Sequence, residues 1–66
     1  MRLMINGETI ERPEPCSLAK LLQELNVKAE RVTTVVNETI VPAAQRAAYQ
    51  VQEGDRLEIL TFAGGG

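Results

Sequence analysis

The sequence predicts an α+β domain in which a single mixed sheet of four to five strands carries one main helix across one face. Two short β-patterned segments at the start are separated by Asn6-Gly7, a dipeptide that favours a two-residue hairpin turn. Leucines then recur at helical spacing between residues 18 and 25. The last β-patterned segment, residues 56–62, follows only after a long connection, as a strand that lies parallel to the first one requires.

The opening hairpin consists of residues 2–6 and residues 8–12. Leu3 and Ile5 alternate with polar or less buried positions, which predicts that one side of the first strand faces a core. Pro13 ends the second strand because proline cannot donate a hydrogen bond to a sheet.

The helix is predicted from Leu18 to Leu25. Ser17 is a favourable N-cap, and Asn26 tolerates the left-handed conformation that ends many helices. The apolar stripe packs against the sheet and consists of Leu18, Leu21, Leu22 and Leu25.

The second half of the chain begins with residues 31–37, whose β-branched side chains predict a third strand. Asn37-Glu38 predicts a turn into a short strand at residues 39–41, which Pro42 stops. Residues 43–50 favour a helix but span only about two turns, so we expect a short helical or irregular crossover.

The final strand, residues 56–62, comes after a turn at Glu53-Gly54-Asp55. If this strand lies beside the first strand in parallel, the architecture is the β-grasp, or ubiquitin-like, fold. We therefore expect a β-grasp domain over residues 1–62 and a flexible C-terminal tail, Ala-Gly-Gly-Gly, over residues 63–66.

Composition excludes several functional classes. The 66 residues include one cysteine and no histidine, so an internal disulfide and a Ser-His or Cys-His catalytic pair are excluded. A net charge of −2 with scattered basic residues argues against nucleic-acid binding. No apolar segment approaches the roughly 20 residues that span a bilayer, so a soluble, cytoplasmic protein without a membrane partner is expected.

The sequence offers few catalytic groups. Cys16 lies beside the predicted helix start, where it is either a small packing residue or a reactive thiol. Gly64 to Gly66 lack the spacing of a phosphate-binding loop, and no helix comes after them. We therefore expect no catalytic residue, no metal and no cofactor on this chain.

Two apolar side chains fall on the second face of the last strand. Leu57 and Ile59 alternate onto the face that the helix covers, which leaves Leu60 and Phe62 on the other. Met4 joins them if the strand register is as expected. This set is a partner-binding surface, unless the alternation differs or the crossover covers it.

The glycines at the end suggest a chemical role. Glycine residues can thread a tunnel too narrow for other residues, and the α-carboxylate, with a usual pKa of about 3.3–3.7, is ionised at neutral pH. Attack of that carboxylate on the α-phosphate of ATP would give an acyl-adenylate that a sulfur or nitrogen nucleophile can displace. ATP would be bound by another protein. The alternative is an inert, frayed tail.

Four segments together resemble a known family: MRLMINGE, LAKLLQEL, VVNETIVP and EGDRLEILTFAGGG. They are similar to the sulfur carrier proteins of thiamine biosynthesis, the ThiS family, over essentially the whole chain. The resemblance implies that an adenylating, ubiquitin-activating-like enzyme uses ATP to adenylate Gly66. A cysteine desulfurase or other persulfide donor then supplies sulfur for a thiocarboxylate, which thiazole synthase receives. Gly65 and Gly64 complete the tail, and Leu60 and Phe62 match apolar partner contacts.

The resemblance thus implies a carrier protein that is itself a substrate rather than an enzyme. One departure concerns the residue after Pro42, which is often basic in the family and is Ala43 here, with Arg46 nearby. The alternatives are the small subunit of molybdopterin synthase, a carrier for tRNA thiolation or cysteine synthesis, a ubiquitin-like conjugating modifier, and a β-grasp binding module with an inert tail.

Overall fold

The computed structural model describes residues 1–61, so the predicted domain end at Phe62 and the tail at residues 63–66 lie outside the described residues. Within them the order is strand, strand, helix, strand, strand, strand. The elements are β1 (Arg2–Ile5), β2 (Glu8–Glu11), α1 (Leu18–Glu24), β3 (Val32–Val36), β4 (Thr39–Val41) and β5 (Arg56–Thr61).

The five strands form one mixed sheet in the order β2-β1-β5-β3-β4. β1 pairs with β2 and β3 with β4 as antiparallel hairpins, and β5 is antiparallel to β3. β5 is parallel to β1, as the β-grasp prediction requires. The predicted fold class is therefore confirmed, with five strands rather than four.

The two-residue turn of each β-hairpin begins with an asparagine. Ile5 pairs with Glu8, so Asn6 and Gly7 form a two-residue loop with φ of 50° and 85°. Asn37 and Glu38 do the same between β3 and β4, with φ of 50° and 71°. Two successive positive φ values define a type I′ turn, whose twist matches that of the flanking strands.

The α-helix, α1, has the predicted caps. The side chain of Ser17 accepts a hydrogen bond from the backbone N–H of Lys20 at 3.1 Å. Asn26 adopts φ 59°, and the backbone N–H of Val27 then reaches the carbonyl of Leu22 at 3.1 Å. This bond is the six-to-one contact of a Schellman motif, so the helix ends where the sequence predicts. Within residues 1–61, no helix is long and apolar enough to cross a membrane.

The hydrophobic core lies between α1 and one face of the sheet. Each of its members is at most 7% exposed, and together they come from the helix, all strands except β2, and the crossover. The core cluster consists of Leu3, Ile5, Leu18, Leu21, Val36, Val41, Val51 and Leu57.

The crossover between β4 and β5 contains one 3-10 turn, Ala43–Gln45, and is fixed by a buried arginine. Arg46 is only 6% exposed. Its guanidinium donates to the carbonyl of Ala29 at 2.9 Å, to the carbonyl of Val32 at 2.8 Å and to Thr34 Oγ1 at 3.2 Å. Among residues 1–61 no carboxylate forms an ion pair with it. Neutral oxygens therefore satisfy this cation, and they lie in the segment that leads into β3 and in β3 itself.

Replacing this arginine tests its structural role. Arg46→Met keeps much of the apolar stem and removes all three donor contacts, including the buried ones to the carbonyl of Val32 and to Thr34 Oγ1. We expect the free energy of unfolding to fall by about 2–4 kcal/mol, measured as a lower urea midpoint. Arg2→Met is the matched control, because the Arg2 side chain is 66% exposed. Equal midpoints for the two variants would contradict the role assigned to Arg46.

Candidate functional site

The candidate site lies on the sheet face opposite α1, which we call the open face. The inward residues of each strand enter the core, so the residues that alternate with them point outward. Those of the open face are Arg2, Met4, Thr9, Glu11, Thr33, Val35, Ile40, Arg56, Glu58 and Leu60.

The structure confirms the predicted alternation of the last strand. Leu57 is 1% exposed on the core side, whereas Leu60 is 51% exposed on the open face. Met4 is 38% exposed on the same face. The crossover therefore does not cover these two side chains. Phe62 and Gly64 to Gly66, which complete the predicted site, lie outside the described residues.

Met4 does not lie beside Leu60, contrary to the expectation of three adjacent apolar side chains. The parallel register pairs Met4 with Arg56. Leu60 lies four residues further along β5, about 13 Å away at ~3.3 Å per residue. Charged side chains, those of Arg56 and Glu58, occupy the outward positions of β5 before Leu60.

Ile40 is an exposed apolar residue of the open face that sequence reasoning missed. It is 64% exposed, more than any other large apolar side chain of the described chain. Ile40 pairs with Val35, and Leu60 pairs with Thr33, two residues from Val35 on the same strand. Val35 and Leu60 are therefore diagonal neighbours on adjacent strands, with Cα atoms about 7–8 Å apart, and Val35 lies between Leu60 and Ile40. Val35, Ile40 and Leu60 thus form what we call the apolar patch. The sequence pattern that could have identified Ile40 is its alternation with Val41, which faces the core.

The charges near the start of β5 form an exposed pair. Arg56 Nη2 lies 3.2 Å from Glu38 Oε2, and the two side chains are 61% and 84% exposed. Exposed pairs of this kind contribute little to stability. Their place at the margin of the open face means that the apolar patch has a polar border, as protein interfaces commonly have.

Asparagine side chains hold both ends of β5. Asn37 Oδ1 accepts from the backbone N–H of Arg56 at 3.0 Å, at the start of the strand. Asn6 Oδ1 accepts from the backbone N–H of Ile59 at 2.8 Å, near its end. The strand that precedes the glycines is therefore fixed by side chains as well as by the ladders of its two neighbours.

The remaining candidates have structural roles. Cys16 is partly buried against the hydrophobic core, as the packing hypothesis predicted, and its carbonyl accepts from Val51 N–H at 2.9 Å. Arg46, the basic residue considered near Pro42, is buried in the fold rather than presented on the surface. No group of three or more His, Cys, Asp or Glu side chains suited to a metal ion occurs in the part of the chain that the structure describes.

The fold and the open face define a class: a small β-grasp domain whose exposed apolar patch includes Leu60, on the strand that precedes the C-terminal glycines in the sequence. The family model described as "ThiS family" matches residues 3–66. The chain belongs to the ThiS family.

Individual relatives agree with this membership. A crystal structure of a thiamine biosynthesis protein (ThiS) from Geobacter metallireducens superposes with a TM-score of 0.88 at 35% identity, and the match covers all of both chains. The sulfur carrier protein ThiS of Escherichia coli is 26% identical over 66 residues, all of both proteins. A thiazole synthase of Paramagnetospirillum magneticum is 41% identical over 66 residues, and this chain spans 20% of that protein's length.

The two faces of β5 should respond differently to substitution. Leu60→Ser removes a half-exposed side chain, so we expect the free energy of unfolding to change by no more than about 0.5 kcal/mol. Leu57→Ala empties a buried site and should cost about 2–5 kcal/mol. Urea unfolding of both variants makes the comparison. A loss for Leu60→Ser as large as that for Leu57→Ala would show that the patch belongs to the core.

Proposed function

We propose that this chain is a sulfur carrier of thiamine biosynthesis, with the carboxylate of Gly66 as the group that carries sulfur. The observation that supports this most is the extent of the family match, which runs to residue 66 and so includes Gly64, Gly65 and Gly66. The glycines are thus part of the family's sequence pattern rather than an addition to it.

The chemistry that we propose begins with activation. The Gly66 carboxylate attacks the α-phosphate of ATP, forming an acyl-adenylate and releasing pyrophosphate. A persulfide sulfur of the donor then displaces AMP, which gives an acyl disulfide. A second thiol of the donor protein attacks the donor-cysteine sulfur of that S–S bond, so the thiocarboxylate leaves and the two cysteines of the donor end as a disulfide. The sequence contains no phosphate-binding motif of the G-x-x-x-x-G-K-[ST] type. The proposal therefore assigns ATP binding to a separate adenylating enzyme, and the sulfur to a cysteine desulfurase or other persulfide donor.

Thiazole synthase is the proposed acceptor of the sulfur. Two relatives named thiazole synthase, from Paramagnetospirillum magneticum and Magnetococcus marinus, match this chain over 66 residues at 41% and 32% identity. The match takes up 20% of each relative. A carrier-like segment within a thiazole synthase chain would raise the effective concentration of donor at acceptor. The presence of such a segment in a thiazole synthase chain supports the proposal that this chain, as a separate protein, binds a thiazole synthase.

The open face is the surface that we propose the partner proteins bind. Leu60 lies two residues before Phe62, so a surface that binds the apolar patch would hold the chain close to the glycines. We propose Leu60 and Phe62 as contact residues, with Met4 at the periphery because the charged side chains of Arg56 and Glu58 occupy the open-face positions of β5 before Leu60. Ile40 joins them, since it is the most exposed large apolar residue of the described chain.

Deletion of the last two glycines tests the chemistry directly. Removal of Gly65 and Gly66 should abolish carrier-dependent ATP–pyrophosphate exchange by the adenylating enzyme. It should also abolish the mass gain of oxygen-to-sulfur replacement once a persulfide donor is added. Intact mass spectrometry and exchange of labelled pyrophosphate are the measurements.

The control for this deletion is Lys28→Ala, a change of an exposed residue in the connection between α1 and β3. It should be adenylated like the unchanged protein. Exchange that persists at full rate after the glycines are removed would refute the carrier proposal and favour an inert tail.

Disruption of the gene tests the pathway. We expect a growth requirement that thiamine or its thiazole moiety relieves, because the carrier supplies the sulfur of that ring. Growth on defined media with each supplement is the measurement. Relief by molybdenum cofactor alone would instead assign the chain to molybdopterin synthesis.

A further inference from the structure

We propose that Asn6 is a positioning residue for the sulfur-transfer tail. Its side-chain amide anchors β5 at Ile59, two residues before the end of the described chain. This inference rests on the proposed function, because its consequence is how residues 62–66 are presented to the adenylating enzyme.

The Asn6 side chain takes the place of backbone pairing beyond the end of β1. The backbone ladder from β1 to β5 proceeds through Met4 N–H to Asp55 O at 2.9 Å and Asn6 N–H to Leu57 O at 2.9 Å. The backbone then turns away at Asn6, which has φ 50°. Beyond this point the Asn6 amide continues the pairing: Oδ1 accepts from Ile59 N–H at 2.8 Å, and Nδ2 donates to Ile59 O at 3.4 Å.

The turn alone does not require asparagine at this position. The first residue of a type I′ turn needs a positive φ, which glycine adopts without a side chain. Asparagine at position 6 adds two hydrogen bonds to Ile59 that glycine could not make. The turn explains the backbone conformation, and the anchor explains the side chain.

The effect of the Asn6 anchor depends on its position along β5. On the β3 side the ladder continues to the end of the described strand, where Val32 pairs with Thr61. On the β1 side the strand pairing ends with Ile5 opposite Leu57, and the Asn6 side chain makes the next contact, at Ile59. Loss of the Asn6 side chain would thus free the β1-side edge of β5 at Ile59, within the described strand, and leave the core packing in place.

Asn37 provides a matched control within the same molecule. It has the same φ of 50° at the same position of the other type I′ turn. Its Oδ1 accepts from Arg56 N–H at 3.0 Å, and its Nδ2 donates to Asp55 Oδ1 at 3.0 Å. The two asparagines therefore hold opposite ends of one strand, and only Asn6 holds the end near the glycines.

The experiment compares Asn6→Gly with Asn37→Gly in steady-state ATP–pyrophosphate exchange by the adenylating enzyme. Both variants keep the turn and lose one anchor. For Asn6→Gly we expect the KM for the carrier to rise about threefold to tenfold, the worth of one ordinary hydrogen bond, with kcat unchanged. Asn37→Gly should leave both constants within about twofold of the original values. Amide hydrogen exchange should accelerate at Ile59 only in Asn6→Gly.

A third variant, Asn6→Asp, retains the acceptor oxygen for Ile59 N–H and should restore a KM close to that of the unchanged protein. Equal KM values for the two glycine variants, or a fall in kcat in place of a rise in KM, would overturn the inference. A melting temperature for Asn6→Gly far below that for Asn37→Gly would also overturn it. If Asn6→Gly does not fold, Asn6→Asp alone is compared with the unchanged protein, and a KM clearly above the original value would overturn the inference. Absence of exchange with the unchanged protein would instead refute the proposed function, and this role of Asn6 with it.

Discussion

The fold depends on the parallel pairing of β1 with β5, the first and last strands of the described chain. Met4 N–H and Asn6 N–H each donate to a backbone carbonyl at the start of β5 at 2.9 Å, which fixes Met4 opposite Arg56. Parallel neighbours cannot be joined by a tight turn, so the chain between them must cross over the sheet. That crossover brings α1 onto one face and leaves the other open. It also places the last strand in the centre, where β3 supports its second edge.

The crossover itself is held by polar contacts as well as by burial. The Arg46 guanidinium reaches the backbone before β3, the carbonyl of Val32 and the hydroxyl of Thr34, and Thr34 in turn donates to Val41 O at 2.8 Å. A domain of 66 residues has a small core, and irregular segments leave backbone groups unpaired. One forked cation that pairs several of these oxygens fixes the segment in a way that an apolar side chain could not.

The parts of the structure that the sequence predicted are those governed by local rules. Asn6-Gly7, the Ser17 cap and the end of α1 at Asn26 follow from backbone preferences of a few adjacent residues, and all three are confirmed. The exposure of Leu60 followed from alternation along one strand. The separation of Met4 from Leu60 did not, because register between distant strands depends on packing. The burial of Arg46 likewise depends on what the folded sheet places nearby. The exposure of Ile40, in contrast, follows from its alternation with the buried Val41 and could have been predicted.

The anatomy of β5 connects these features to the proposed chemistry. One face of the strand completes the core through Leu57, the other carries Leu60 on the open face, and Asn6 and Asn37 hold its two ends. Holding a short segment in a partner's active site costs about 1–2 kcal/mol for each residue whose backbone is ordered. An anchor close to that segment limits the number of residues that must be ordered on binding. In the proposed carrier the reactive carboxylate belongs to Gly66, five residues beyond the end of β5 at Thr61, so a partner that binds Leu60 would have only a short segment to order.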